Sequence, residues 1–381
     1  MPCQPSNWSH QRTVIFVGLV FLCFPVILYI YYKPDIKFPD FNISSMIGHQ
    51  PCPKCVHSQE LHPNCSNKEH PDDTQKIQVA AVNNEPDTIL LIWFWPFGYK
   101  FDISCSDYNI TRCRLTDDRS LYNKAHGVLF HHRDMRGISN LPKKPRPRFQ
   151  KWVWWNMESP ANCGQITELN QLINLTCSYR LDSHIPVQYG SLVPVTPKEE
   201  TFKLPAKDRL VCWIVSNWGA HQRRVQVYNE LKKHVKVECF GGGCNQRISN
   251  DEYTKIMKGC KFYLSFENSV YKDYVTEKLY SPLIQGAVPV VLGPPRENYE
   301  RLVPGDSFIH VDDFPTAKEL AERLLYLDKH DDEYMKYHNW RKWYEVKMGS
   351  FGKEHACKSC RYIQNHREYQ RFNDLTKWFW G

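Results

Sequence analysis

The sequence lacks the short motifs that mark several large enzyme classes. It contains no D-x-D pair to hold a divalent cation against a diphosphate, no H-E-x-x-H zinc helix, no G-x-S-x-G elbow and no Walker A loop. No repeat of fixed period runs through its 381 residues. Hydrophobic residues make up 42% and charged residues 24%, which excludes wholesale disorder, collagen-like and coiled-coil architectures. The composition is therefore that of a globular protein, and the chain is long enough for about two domains.

The sequence also lacks a strong excess of one charge. The 49 Lys and Arg residues against 41 Asp and Glu residues give a net charge of +8, which predicts no nucleic-acid partner. Aromatic residues are plentiful at 14%, with 12 Trp. Because flat rings stack on sugars and bases, this composition mildly favours a carbohydrate or nucleotide site.

One long apolar run stands near the start of the sequence. Residues 14–32, VIFVGLVFLCFPVILYIYY, are nineteen residues without a charge. A helix of that length crosses roughly 28 Å of hydrocarbon. A cleaved signal peptide has a shorter apolar region and a small-residue cleavage site, and neither is present. We therefore predict a cytoplasmic tail over residues 1–13 and an uncleaved transmembrane signal anchor over residues 14–32.

Cysteines and glycosylation acceptors set the orientation of this anchor. Fifteen Cys are many for a cytosolic chain, and the N-x-S/T acceptors Asn42, Asn64, Asn109 and Asn174 all follow the span. The bulk of the chain is therefore predicted to lie in the secretory lumen. Thirteen cysteines follow the span, an odd number, so at least one is unpaired or bonded to another chain.

Residues 33–86 are rich in Pro, His, Asn, Asp and Ser and have no sustained period, which predicts an extended stem. Its cysteines, Cys52, Cys55 and Cys65, are the candidates for an interchain bond in a homodimer. With His62 and His70 they also resemble a zinc knuckle, although a partly disulfide-bonded spacer is the simpler interpretation.

Strands of buried type open the folded head. Apolar runs over residues 88–96, 126–132 and 151–158 end in Pro or polar residues, as expected of strands covered on both faces. Polar residues at strand exits lie where α/β proteins usually bind ligands. Trp93, Trp95 and Trp154 either stack on sugars or, as alternate residues of buried strands, belong to the core.

Strand and helix alternate regularly from about Leu210. We predict strands over 210–217, 236–241, 261–268 and 287–293, and helices over 223–234, 274–286 and 316–327. A capping box of Thr316 and Glu319 opens the last of these helices. This alternation predicts an α/β fold with a parallel, doubly wound sheet. A further helix is predicted over residues 331–346, before a Cys-rich tail.

The segment FYLSFENSVYKDYVTEKLY (262–280), followed by GAVPVVLGPPRENY (286–299), resembles the donor-binding signature of the α-1,3-fucosyltransferases. The likeness extends through residues 115–134, 151–160, 210–218 and 355–360 to KWFW at 377–380. It is strongest to the vertebrate members that fucosylate N-acetyllactosamine. The resemblance implies a GT-B fold of two Rossmann-like lobes, with an acceptor lobe over 87–205 and a GDP-fucose lobe over 206–345. Residues 346–381 would return to the acceptor lobe.

The resemblance also implies an activity. It is the inverting transfer of L-fucose from GDP-β-L-fucose to O3 of GlcNAc in type 2 lactosamine chains of glycoproteins and glycolipids, forming Lewis x-type structures. The implied location is the Golgi membrane, as a single-pass type II protein with its head in the lumen. No metal or cofactor is required, and stimulation by Mn²⁺ stays open. Arg and Lys would neutralise the leaving diphosphate.

Individual residues match family positions. Glu158 in NMESP matches the catalytic base, and Arg224 and Lys278 match the diphosphate-binding cations, each in the first turn of a predicted helix. Glu277 matches a carboxylate on sugar hydroxyls of the donor. The remaining donor-site matches are Tyr189, Ser216, Asn217, Tyr263, Asn268 and Tyr274. The acceptor matches besides Glu158 are His131, His132, Arg133 and Asp134, where Arg133 in place of Trp accompanies α-1,3 over α-1,4 preference.

The family pattern implies disulfides too. It pairs Cys212 with Cys260 and ties Cys105 and Cys113 to Cys357 and Cys360. For the additional cysteines we predict the local pairs Cys163–Cys177 and Cys239–Cys244. A thioredoxin-like role of Cys357 and Cys360 is disfavoured because no strand precedes them.

The chain departs from the family pattern at Leu181, His184 and Gln188, which bears on affinity rather than on reaction class. A lectin-like protein of the same fold and a stem-bonded scaffold are the rival interpretations. The preference for neutral or sialylated lactosamine is left undecided.

Overall fold

The computed structural model describes residues 87–197 and 202–381. The predicted anchor, the stem with its three cysteines, Asn42 and Asn64 lie outside the described residues. Within the described ranges, no helix is long and apolar enough to cross a membrane.

The first sheet is built from six parallel strands in the order β2-β1-β3-β4-β5-β6. Its central strands are apolar and buried along their length, which is why they need cover on both faces. Short 3₁₀ turns connect the strands over residues 87–190, and no α-helix lies between them. The strand bounds are β1 Thr88–Ile92, β2 Cys113–Thr116, β3 Gly127–His131, β4 Lys151–Asn156, β5 Leu175–Ser178 and β6 Ile185–Pro186.

The second sheet is also parallel, with the order β12-β11-β10-β8-β9. Its strands are β8 Arg209–Ile214, β9 Val237–Phe240, β10 Cys260–Phe266, β11 Val288–Leu292 and β12 Ile309–His310. Its helices are α1 Arg223–Leu231, α2 Asn250–Gly259, α3 Glu277–Gln285, α4 Arg296–Glu300, α5 Ala317–Lys329 and α6 Asp331–Met335. Helices α1 and α5 pack on one face, and α2 and α3 on the other. The predicted doubly wound sheet is therefore confirmed here.

Several elements of the second half differ from prediction, and the short α4 and β12 were not predicted. Helix α2 was not predicted, although Ser249 and Glu252 form a capping box at its start. The helix predicted over residues 331–346 ends after α6, and a 3₁₀ turn leads into strand β13, Tyr344–Met348. Strand β13 pairs antiparallel with β7, Gly190–Pro194. This ladder satisfies the backbone of residues 344–348 in place of a helix, so a distant partner overrides local preference.

The chain end covers the first sheet. Helix α7, Lys353–Asn365, packs on β1 and β2, and the short helix α8, Leu375–Trp380, places Phe379 4.9 Å from the ring of Trp154. Disulfides Cys105–Cys357 and Cys113–Cys360 join α7 to the sheet. The pairing implied by the family resemblance is thus present, and the return of the chain end supplies the long helix that the first half lacks.

The remaining cysteines divide into two kinds. Cys212–Cys260 and Cys239–Cys244 are disulfides, as predicted. The predicted Cys163–Cys177 pair is wrong, because both thiols are free and buried in different surroundings. The Cys163 thiol donates to the Ser159 carbonyl at 3.2 Å, whereas Cys177 lies on β5 against Ser359. Burial raises the pKa of Cys163 to about 11 and that of Cys177 to about 12, which makes both unreactive.

The two described glycosylation acceptors differ in access. Asn109 is exposed, and glycosylation there stays a prediction. Asn174 is only 3% exposed, and its amide donates to the Gln370 carbonyl at 2.7 Å and accepts from the Trp152 N–H at 2.7 Å. A glycan on Asn174 conflicts with this packing unless the segment around Gln370 moves away.

Candidate active site

Both sheets reverse their strand order beside the first strand, between β1 and β3 and between β8 and β10. In open α/β sheets, ligands bind at the carboxyl ends of the strands at this reversal. A cavity of about 240 Å³ lies between the two sheets and takes residues from both. Its polar and aromatic lining includes His131, Glu158 and Tyr189 from the first half, Asn268, Tyr274, Glu277 and Lys278 from the second, and Phe351 from the chain end.

Glu158 lies in a short loop after β4 that buried Asn156 holds in place. The Asn156 side chain accepts from the Glu158 N–H at 3.1 Å and donates to its carbonyl at 3.1 Å. Within residues 87–197 and 202–381, no group hydrogen-bonds the Glu158 carboxylate. The loop is thus fixed through its backbone while the half-buried carboxylate lines the cavity, which is the arrangement that a general base requires.

The second sheet contributes two cations at helix starts. Arg224 and Lys278 are the second residues of α1 and α3, where free backbone N–H groups and the helix dipole favour an anion. They share a cavity of about 200 Å³ with Ser216, Asn217, Tyr263 and Asn268. Ser216, Tyr263, Glu277 and Lys278 also line a neighbouring space of about 770 Å³. Lys278 lines all three cavities, so it stands where they meet.

Local contacts hold both cations. The Arg224 guanidinium donates to the Gln222 side chain at 3.0 Å and to the Asn217 carbonyl. The Lys278 ammonium donates to the Thr276 hydroxyl and to Glu277, both at 2.9 Å. Burial opposes the charged form of Lys278, but neighbouring carboxylates outweigh burial and raise its pKa. Lys278 therefore stays charged in a largely enclosed site.

Three predicted tyrosines wall the site. Tyr189 donates its hydroxyl to the Met157 carbonyl, next to Glu158, and Tyr274 is buried against Tyr179 at 5.0 Å between ring centres. Tyr263 is buried on β10. Burial raises the pKa of Tyr189, Tyr263 and Tyr274, so all three are neutral hydroxyls.

Of the four residues predicted to bind the acceptor besides Glu158, one lines the cavity and three do not. His131 lines the cavity, and its Nδ1 bonds the Asp134 carboxylate at 2.6 Å. His132 faces the core of the first sheet instead, where its Nδ1 accepts from Trp154 at 3.0 Å and its Nε2 bonds the Gly164 carbonyl at 2.9 Å. Arg133 turns to the Asn162 carbonyl. The structure therefore brings only His131 of this set to the cavity, with Asp134 behind it.

Other side chains singled out in the sequence lie away from the cavity. Trp154 is fully buried, and Trp93 and Trp95 bond the Asn140 carbonyl and Asp117, so the core interpretation fits all three better than sugar stacking. Among the family departures, the Leu181 N–H donates to Asp273, and His184 bonds Thr176 within the first sheet.

Several lining residues were not predicted. Phe97 follows β1 with a left-handed backbone, φ 53°, and its N–H donates to Asp134 at 3.0 Å. Phe351 stacks on Phe97 with ring centres 6.3 Å apart and 13° between planes. They are 51% and 46% exposed at the cavity. Phe97 could have been predicted from the sequence, because it follows a strand at the point where the strand order reverses. Phe351 could not, because its position depends on the chain end that the disulfides hold against the first sheet.

No three His, Cys, Asp or Glu side chains of the described ranges are grouped so that they could hold a metal ion. The zinc-knuckle alternative for the stem lies outside these ranges. The charged and polar groups that line the 240 Å³ cavity are thus the carboxylates of Glu158 and Glu277, the Lys278 ammonium, the His131 ring and neutral hydroxyls, while Arg224 lines the neighbouring 200 Å³ cavity.

Two family matches cover most of this architecture. Residues 85–190 match the family described as "Fucosyltransferase, N-terminal", and residues 204–378 match "Glycosyltransferase family 10 (fucosyltransferase) C-term". The chain therefore belongs to glycosyltransferase family 10, the fucosyltransferases.

Individual proteins and a solved structure are also similar to this chain. The chain is 48% identical over 298 residues to the human and mouse proteins named 4-galactosyl-N-acetylglucosaminide 3-alpha-L-fucosyltransferase 9, covering 77% of this chain and 83% of each relative. It is 40% identical over 302 residues to 3-galactosyl-N-acetylglucosaminide 4-alpha-L-fucosyltransferase FUT3 of Pan troglodytes, covering 77% and 81%. A crystal structure of an alpha1,3-fucosyltransferase with GDP-fucose matches with a TM-score of 0.50 at 16% identity, covering 78% of this chain and 95% of that one, which is a likeness of fold.

Proposed function

We propose that this protein transfers L-fucose from GDP-β-L-fucose to O3 of GlcNAc in type 2 lactosamine chains, with inversion at the fucose carbon. The parallel sheets, the family membership and the 48% identical relatives support the general reaction. One observation carries the proposal: the carboxylate of Glu158 and the ammonium of Lys278 line a single cavity between the two sheets.

Glu158 is the proposed general base. In an in-line displacement, the O3–H proton of the acceptor passes to the base as O3 bonds to the fucose carbon, and the bond from that carbon to the diphosphate breaks. A carboxylate that no described group hydrogen-bonds is free to take this proton. A positioned base is worth roughly 10² to 10⁴ in rate.

Arg224 and Lys278 are the proposed diphosphate cations. Charge develops on the leaving diphosphate as the bond breaks, and fixed cations with helix N–H groups stabilise it without a dedicated metal. Glu277 is proposed to bond sugar hydroxyls of the donor, because it lines the cavity beside Lys278. The tyrosines and Asn268 complete the donor wall, and His131 with Asp134 belongs to the acceptor side.

We also propose a GT-B arrangement of two Rossmann-like lobes and a type II orientation in the Golgi membrane. The first rests on two parallel sheets with the same reversal of strand order. The second rests on the uncharged run over residues 14–32 and on the later cysteines and glycosylation acceptors. An interchain bond through Cys52, Cys55 or Cys65 would make the protein a dimer, which non-reducing electrophoresis of the three Ser variants tests.

The central experiment uses the full-length chain, purified in detergent, with GDP-fucose and three acceptors: type 2 lactosamine, its α-2,3-sialylated form and the type 1 isomer. We expect fucose on O3 of the type 2 GlcNAc, with the linkage read by NMR. The ratio of sialylated to neutral product then defines the acceptor preference. A folded protein that binds GDP and lactosamine but transfers nothing would replace this proposal with the lectin-like one.

A further inference from the structure

Glu267 is a buried carboxylate that has no assigned role. It follows directly after β10, and its N–H donates to the Leu292 carbonyl at 2.8 Å, which extends the pairing with β11. The residue is 4% exposed. A carboxylate so deeply enclosed is unfavourable unless charged or polar partners compensate for the loss of water.

Its partners are two residues of the candidate donor site. One carboxylate oxygen accepts from the Thr276 N–H at 2.8 Å and from the Thr276 hydroxyl at 2.9 Å. The other oxygen lies 3.3 Å from the Lys278 ammonium. Thr276 caps helix α3, and its hydroxyl also accepts from that ammonium at 2.9 Å. Glu267 is thus bonded both to the start of α3 and to the cation that α3 presents.

We propose that Glu267 is a positioning residue that holds the Lys278 ammonium and the first turn of α3 where they meet the diphosphate of the donor, an inference that rests on the proposed function. Lysine has one of the most flexible side chains, and ordering it when a ligand binds reduces affinity. Glu267 and Thr276 order it beforehand. The same ammonium also contacts Glu277 at 2.9 Å, and that side chain is 46% exposed, whereas Glu267 holds the ammonium from the buried side.

The charge of Glu267 also extends to the second cation. Burial lowers the pKa of Arg224, and the nearby Glu267 carboxylate opposes that effect. The Glu267 carboxylate therefore favours the charged form of both proposed diphosphate cations, and Lys278 in turn opposes the rise in the pKa of Glu267 that burial causes. A carboxylate near the proposed diphosphate site would by itself repel the diphosphate. Its interaction with the two cations explains why Glu267 is nevertheless buried there.

A double-mutant cycle on the full-length protein tests the role, with GDP affinity measured by titration calorimetry. We expect Glu267→Gln to weaken GDP binding about 10-fold, as for the loss of one charge-assisted contact. In a Lys278→Ala background the same change should have an effect below about 2-fold, because the residue through which it acts is absent. The KM for GDP-fucose should rise while the KM for lactosamine stays constant. Equal losses in both backgrounds, or tighter binding, would overturn the inference.

Two further variants keep the test sharp. Glu300→Gln removes a carboxylate that pairs with Arg296 outside the cavity, and it should leave GDP affinity unchanged. If Glu267→Gln does not fold, Thr276→Val removes the bridging hydroxyl, and its effect must likewise vanish without Lys278. An unaltered protein that binds no GDP would overturn the proposed function as well, whereas normal binding with additive losses would overturn only the role of Glu267.

Discussion

Cys105 and Cys357 form a disulfide across 252 positions of sequence, with their Cα atoms 5.6 Å apart. The parallel bridge Cys113–Cys360 joins the same two segments. Lys353, one turn before Cys357, adds ion pairs to Asp102 at 2.8 Å and Asp107 at 2.6 Å. These bonds hold the start of α7 against the first sheet and bring Phe351 to the cavity. The disulfides therefore help to position a residue that lines the candidate active site.

Because the two bridges are parallel, we predict that their removal is not additive. Cys357→Ser alone opens only the short ring that the two bridges form with residues 105–113 and 357–360, because Cys113–Cys360 still closes the long loop, and the chain-entropy model gives a loss of about 2–3 kcal/mol. Cys360→Ser alone should cost a similar amount. The double variant frees a loop of about 250 residues and should lose roughly 5 kcal/mol more. Thermal and chemical unfolding measure the losses.

The bridge Cys239–Cys244 provides the control, since it spans five positions. Cys244→Ser should resemble a single removal at most. A double variant that loses only the sum of its single variants would contradict the parallel-loop argument.

Phe351 provides a prediction for the acceptor. We expect Phe351→Ala to raise the KM for lactosamine roughly 10-fold, because an aromatic face at the mouth of the cavity is lost, and to leave GDP affinity unchanged. Phe149→Ala removes an equally exposed ring that packs on His126 instead, and should change neither quantity. Initial-rate kinetics with varied acceptor check this. A selective loss of GDP binding would place Phe351 on the donor side instead.

His132 connects pH to stability. Burial lowers its pKa to about 4, against about 6.5 in an unfolded chain. Between these values the unfolded chain binds more protons, so stability is complete above pH 6.5 and is lost as pH falls toward 4, by at most roughly 3 kcal/mol. We expect His132→Gln, which does not titrate, to reduce this slope in calorimetric melts, while other buried histidines such as His338, whose pKa burial lowers to about 3, retain the rest of it. His234→Gln, at an exposed position, should retain the whole slope, and an unchanged slope in His132→Gln would refute the assignment.

What the sequence predicted well was local. Strands β8 to β11 of the second sheet follow from buried apolar runs, and helices α1, α3 and α5 follow from apolar spacing and caps, because each of these signals lies within the element itself. Glu158 and Lys278 were each identified from a separate contiguous motif, and the structure brings both to one cavity.

Most of what it did not predict depends on contacts between distant segments, although the capping box that opens α2 is a local signal that was missed. Helix α7 covers a sheet formed about 200 residues earlier, and β13 is a strand because β7 pairs with it. His132 is next to His131 in sequence, yet the turn after β3 sends the two rings in different directions. Cys163 and Cys177 are close in sequence but are held by different neighbours, so spacing alone gave the wrong pair.

Glu158 provides the most direct test of the chemistry. Gln has the same shape but cannot accept a proton at neutral pH, and Asn156 holds the loop through backbone groups that the change leaves in place. We therefore expect Glu158→Gln to lower kcat by roughly 10² to 10⁴, or about 3–5 kcal/mol in activation free energy. GDP affinity should stay within about 2-fold of the unaltered protein, because the proposed diphosphate cations lie at the starts of α1 and α3 rather than in the Glu158 loop.

Glu168→Gln is the matched control for this change. It is an exposed glutamate in the connection between β4 and β5, and its substitution should leave kcat unaltered. Single-turnover measurements with saturating GDP-fucose separate the chemical step from product release. A Glu158→Gln protein that transfers fucose at the normal single-turnover rate would remove the carboxylate from the proton transfer. His131 would then be the next candidate, because it lines the same cavity and its Nδ1 bonds Asp134, which leaves Nε2 to accept the proton.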